Sequence, residues 1–132
     1  MSTISRYLIT LVSFAVIDAI WLGVVARRFY REQIGYLMGR TNWTAAALFY
    51  LFYVAGMLFF VIQPAVSRGR WQYALLVGFF FGFITYMTYD LTNLATLASW
   101  PVLVTVIDIA WGTVLGGSVS LLSYTLIRLI QR

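Results

Sequence analysis

Four long apolar runs, separated by brief polar stretches, dominate the chain and cover about residues 6–26, 43–64, 71–96 and 101–130. A helix needs about 20 apolar residues to cross a bilayer, at a rise of about 1.5 Å each. Every run meets that length. None alternates apolar and polar residues, and all are too long for barrel strands. The pattern predicts an all-α polytopic membrane protein, a four-transmembrane-helix bundle forming one domain over residues 1–132. Tyr7, Trp43, Trp71 and Trp100 open the runs, where amphipathic rings favour the headgroup level. Pro101 suits the first turn of the fourth helix, because its missing N–H would be unpaired there. The run from Tyr7 to Ala26 lacks a small-x-small cleavage pattern and is read as a true span rather than a signal peptide.

Residues 27–42 make the only long connection. Within it, FYREQIGYLM places Phe29, Tyr30, Ile34, Leu37 and Met38 near one helical face, with Arg28, Arg31 and Glu32 elsewhere. An interfacial amphipathic helix and a plain polar loop both fit. The second connection, AVSRGR, is short and basic, and the third, around Ala98-Ser99-Trp100, carries no charge. Arg6, Arg68, Arg70, Arg128 and Arg132 fall on one side of the membrane; Arg27, Arg28, Arg31 and Arg40, with Glu32, fall on the other. This count favours both termini in the cytoplasm, although the flanks of the first run alone argue the reverse.

Composition points to lipid as the solvent: 62% of residues are hydrophobic and 10% charged, far from the soluble average. The +5 balance comes from arginines spread singly among links and ends. That suits anionic headgroups and not nucleic acid. Cysteine, histidine and lysine are absent. Thiolate and imidazole metal sites, haem ligation by those residues, catalytic triads and Schiff-base chemistry are thereby excluded. No cofactor and no metal site are expected. The titratable groups left inside the spans are aspartate and tyrosine.

Asp18, Asp90 and Asp108 all lie within apolar runs. A carboxylate in hydrocarbon costs from a few to more than ~10 kcal/mol, so each is expected to face the bundle interior. Asp18 stands nine residues before Arg27, Asp90 nine before Ser99 and Asp108 nine after it. All three therefore sit about 13 Å from one surface, in one layer. Trp21 and Trp111 follow Asp18 and Asp108 by three residues and share their helix faces. Asn93, Tyr89, Tyr50 and Tyr53 lie near the same depth as hydrogen-bond partners. The expected ligand- or proton-binding set is Asp18, Asp90, Asp108, Asn93, Trp21, Trp111, Tyr53 and Tyr89.

Two repeats accompany the acids. VID-AI-W in the first run returns as VID-IA-W in the fourth; chance in an apolar background and an inverted duplication both account for it. Ala74, Gly78, Gly82, Tyr86 and Asp90 recur every fourth position, as do Asp108, Gly112, Gly116, Ser120 and Tyr124. Such small-residue ridges let helix backbones approach closely.

Three carboxylates with no cation inside the spans would repel one another and titrate as a coupled set. Protons or a cation must supply the missing charge. The leading expectation is a small proton- or cation-coupled transporter or binding protein, with Trp21 and Trp111 offering ring faces to an organic cation. One alternative is an intramembrane lipid-modifying enzyme using Asp acid/base residues. YDLTN resembles the tyrosine–aspartate pairing of intramembrane aspartyl hydrolases over two residues. The other alternative is a non-catalytic membrane adaptor. Expected partners are membrane lipids, a small cation, proton or lipid as ligand, and a second copy of the chain in a homodimer.

DAIWLG (18–23), RRFYREQIG (27–35), NWTAAALFYLFYVAG (42–56), YDLTNLATL (89–97), Trp100-Pro101 and DIAWG (108–112) occur in order along the chain. With these segments the chain resembles, nearly end to end, a bacterial family of small membrane proteins known as domain of unknown function 2177. The resemblance implies a four-span protein of the bacterial inner membrane and supplies no activity.

Overall fold

A computed structural model describes residues 1–132. Four helices are long and apolar enough to cross a membrane: α1 (Thr3–Val25), α3 (Trp43–Arg68), α4 (Trp71–Thr96) and α5 (Val102–Ile130). A short helix, α2 (Arg27–Ile34), and a single 3-10 turn (Gly35–Leu37) fill the first connection. Helices suit such sequences because lipid offers no partner to a backbone N–H or C=O, and a helix pairs both internally.

The polar faces turn inward. On α1, Ile4, Leu8, Val12, Val16 and Ile20 are exposed, whereas Thr10, Ser13, Phe14 and Asp18 are buried. Thr10 and Ser13 donate to the Arg6 and Ile9 carbonyls one turn back, at 2.9 and 2.8 Å. Their hydroxyls are thereby satisfied without leaving the helix. The Ser2 side chain caps α1 by accepting from the Ser5 N–H, and Asn42 caps α3 by accepting from the Ala45 N–H, each at 3.1 Å.

Two spans contain a widened turn. On α1 it covers Trp21–Val25, where the Ala26 N–H reaches back to the Trp21 carbonyl at 2.7 Å. On α3 it covers Leu58–Ile62, just before Pro64. Proline has no N–H for the carbonyl four residues back and its ring crowds that oxygen. The π turn absorbs the conflict, so the helix passes through Pro64 and ends at Arg68 instead of stopping at the proline. Gly69, at φ 64, closes it in the left-handed region. There the Gly69 and Arg70 N–H groups cap the Val66 and Ala65 carbonyls at 3.1 and 3.2 Å.

Helices α4 and α5 form the closest pair in the bundle. A Cβ on Gly78 would stand 2.6 Å from the Gly116 carbonyl oxygen, and Gly82 faces Gly112 just as tightly. The small-residue ridges predicted from the sequence meet each other at this seam. A dry core of Phe14, Val54, Met57, Val61, Leu115 and Ile127 continues toward the end that holds both termini.

Two aromatic anchors behave differently from expectation. Trp43 and Trp71 are exposed at helix starts, but Trp100 is buried. Its indole donates to Thr105 Oγ1 at 3.1 Å and its ring meets Tyr89 edge-on. Tyr7 turns onto α3, where its hydroxyl donates to the Leu51 carbonyl at 2.8 Å. Pro101 lies one position before the first helical residue of α5, as its N-cap.

Candidate functional site

Close backbone contact between α3 and the α4–α5 hairpin is concentrated in the Leu58–Arg68 stretch of α3. The backbone of the first half, Trp43–Met57, stands back from the hairpin and packs on α1, reaching α4 through side chains such as Tyr53, whose ring meets Phe81 at 5.3 Å. The gap is a cavity of about 1070 Å³, bordered by α1, α2, α3, α4 and α5 and walled mostly by aromatic and aliphatic side chains. Asp18 and Asp108 are its only acidic lining groups, and both are buried, at 5% and 8% exposure.

Each of these carboxyl groups is held by a tyrosine from another helix. The Tyr50 hydroxyl, on α3, donates to Asp18 Oδ2 at 2.5 Å. The Tyr30 hydroxyl, on α2, donates to Asp108 Oδ1 at 2.6 Å and accepts from the Trp21 indole at 3.2 Å. The two repeated motifs face each other here: Trp21 and Trp111 stack at 4.4 Å between centroids with planes 6° apart. The Trp111 indole nitrogen lies near the Asp18 carboxylate, outside hydrogen-bond geometry. Burial pushes the Tyr30 phenol above its ordinary range, and the hydrogen bond and charge of Asp108 push the same way. Tyr30 therefore keeps the proton it donates.

Of the eight residues expected at the site, Asp18, Asp108, Trp21, Trp111, Tyr53 and Tyr89 line the cavity. Asp90 and Asn93 do not. Asp90 is fully buried beside Asp108, and neither of its oxygens has a hydrogen-bond partner. Asn93 stands next to Tyr89, which is half exposed at the rim. Only two of the three aspartates line the cavity, because position along a helix leaves the angle around its axis free. No three acidic side chains gather closely enough to hold one metal ion.

Tyr30, Tyr50, Tyr86, Arg27 and Arg31 also line the cavity and were not in the expected set. Tyr50 had been placed at the right depth, though not chosen. Arg27, Tyr30, Arg31 and Ile34 follow the 0, 3, 4, 7 spacing of one helix face. The expected face grouped Tyr30 with Phe29, Ile34, Leu37 and Met38 and set Arg31 apart. In the structure the helix ends at Ile34; Ile34 and Met38 line the cavity with Tyr30 and Arg31, and Phe29 and Leu37 do not.

A family model described as a predicted membrane protein, DUF2177, matches residues 3–125. The chain belongs to that family. No curated protein and no solved structure matches it. The match covers every cavity-lining residue, so this pocket lies wholly within the DUF2177 region. Chemically, the DUF2177 site offers two carboxyl–phenol pairs at the inner end of a mostly apolar chamber, with arginines at its edge.

Proposed function

We propose that this DUF2177 protein takes a membrane amphiphile into the cavity and holds its polar part against Asp18 and Asp108, as an intramembrane lipid-modifying enzyme would. The observation that carries this reading is the chamber itself: about 1070 Å³, chiefly apolar, with two tyrosine-held carboxyl groups as its only acidic lining. Phe49 and Tyr89 line it and are exposed. They stand six residues into α3 and seven before the end of α4, about 10 Å inside the spans. A rim at that depth meets hydrocarbon, so a lipid can enter sideways. Asp18 and Asp108 would then serve as the acid and base of the reaction.

The transport reading has less behind it. The fully buried Phe14, Val54, Met57 and Leu115 fill the path toward the opposite end. Trp21 and Trp111 cover each other's faces, so no organic cation fits between them. A proton-linked role keeps one specific support, the unpartnered Asp90 beside Asp108. Lipid extracts from cells expressing the wild type, Asp18→Asn, Asp108→Asn and Asp90→Asn separate the readings. A lipid species of altered mass made by the wild type and missing from the first two variants supports the enzyme. Identical lipid profiles in all four, with pH-dependent ion uptake lost in Asp90→Asn, would overturn it in favour of transport.

We also place the protein in a bacterial inner membrane with both termini cytoplasmic, on the arginine distribution. The cavity then faces the outer leaflet. Because the chain has no cysteine, single cysteines at positions 39 and 131 report orientation. In spheroplasts an impermeant maleimide should label Gly39→Cys alone; labelling of Gln131→Cys alone would reverse the assignment.

A further inference from the structure

We infer that the amphiphile carries a phosphate, and that Arg27 and Arg31 bind it at the cavity rim; this rests on the lipid-binding reading above. Both arginines line the chamber and are one turn apart on α2, where side chains at that spacing are neighbours. Neither has an acidic partner. The only ion pair in the protein joins Arg28 to Glu32 at 2.8 Å, which occupies the sole glutamate and leaves its two neighbours unneutralised. Paired guanidinium forks match the oxygens of a phosphate better than point charges do.

Their position is fixed rather than incidental. Tyr30 lies between them in the sequence and on the same face, and its bond to Asp108 ties that face to the bundle. Trp43, exposed and also lining the cavity, marks the headgroup level beside them. Asp18 lies nine residues before Arg27, about 13 Å along the helical path, and the backbone bends between them at Ala26. A small free anion would leave the chamber's aromatic and aliphatic walls uncovered. A phosphate on a long hydrocarbon chain matches both features, with its oxygens on the arginines and its chain against those walls.

Four of the five tryptophans, Trp21, Trp43, Trp100 and Trp111, line the chamber, so intrinsic fluorescence reports occupancy once Trp71→Phe removes the fifth. That protein, in phosphatidylcholine nanodiscs, is titrated with dodecyl phosphate, dodecanol and inorganic phosphate. Dodecyl phosphate should give a saturable change, weakened at least about tenfold by Arg27→Gln and again by Arg31→Gln, the loss of a charge-assisted hydrogen bond each time. Arg28→Gln should leave it unchanged. If dodecyl phosphate and dodecanol saturate alike and the arginine variants alter neither, the phosphate assignment is wrong while the lipid site stands. If neither amphiphile saturates, the lipid reading itself fails. Saturation by inorganic phosphate at concentrations matching dodecyl phosphate would identify a soluble anion as the ligand and overturn the proposal.

Discussion

Removing one oxygen atom at Tyr30 should loosen α2 from the bundle. The Tyr30→Phe variant keeps the ring packed against Trp21 and Phe29, with centroids at 6.5 and 5.5 Å, and deletes only the hydroxyl. That hydroxyl makes the 2.6 Å bond to Asp108 and accepts the 3.2 Å bond from Trp21. A hydrogen bond to a charged group is worth about 1.5–3 kcal/mol net. Taking about 2 kcal/mol, the opening equilibrium of α2 should rise roughly thirtyfold. Hydrogen exchange in nanodiscs reads this directly as faster exchange of the amides of Arg27–Ile34, with α5 unaffected. Tyr50→Phe, which frees Asp18 instead, is the control and should leave α2 protection intact. The same assay has a pH arm. Burial and Asp108 raise the proton affinity of Tyr30 in the docked state above its ordinary value. The docked helix is therefore stabilised below pH 10, and that stabilisation fades as pH rises above about 10. Wild-type protection should be flat from pH 6 to 9 and fall beyond 10. Unchanged exchange in Tyr30→Phe would show that the phenol does not anchor the helix, and the account of how the arginines are positioned would go with it.

Two further substitutions probe the scaffold and the odd acid. Gly78→Ala puts a methyl 2.6 Å from the Gly116 carbonyl oxygen and from Ser120 Oγ, so α4 and α5 must separate at a cost of about 1–3 kcal/mol. Gly23→Ala, with nothing within 4 Å, should be neutral, and equal melting temperatures for the two by circular dichroism in detergent would refute the tight seam. Asp90→Leu replaces a buried carboxyl group that has no hydrogen-bond partner with an apolar side chain of similar size, lifting a burden of about 1–3 kcal/mol. It should melt at the wild-type temperature or above, and a clear drop would mean that Asp90 holds the fold together.

The helices were legible in the sequence because a bilayer imposes one length scale, and all four starts lie within three residues of the expected ones. The spacing of the aspartates along their helices was legible for the same reason, since rise per residue is fixed. Angular position was not. It depends on local winding, and α1 has a widened turn directly after Asp18 that no residue pattern announced. Tyr30 was hidden for a different reason: it belongs to a connection whose sequence also fits a loop, and its partner Asp108 lies 78 residues away. The repeated D-x-x-W motif was visible, but nothing in it foretold that its two helices would pack together with their indoles stacked. Pro64 was misread as an end because a proline is an obstacle only to a helix of regular pitch.

That wide turn before Pro64 divides the third span mechanically. Below it the chain is wedged among its neighbours; above it the backbone of the chamber wall leans on the first helix, and Tyr53 supplies ring contacts to Phe81 and Tyr86. The breadth of the side opening is then governed by what occupies it, so tail thickness and saturation should tune this protein more strongly than any change at its sealed end.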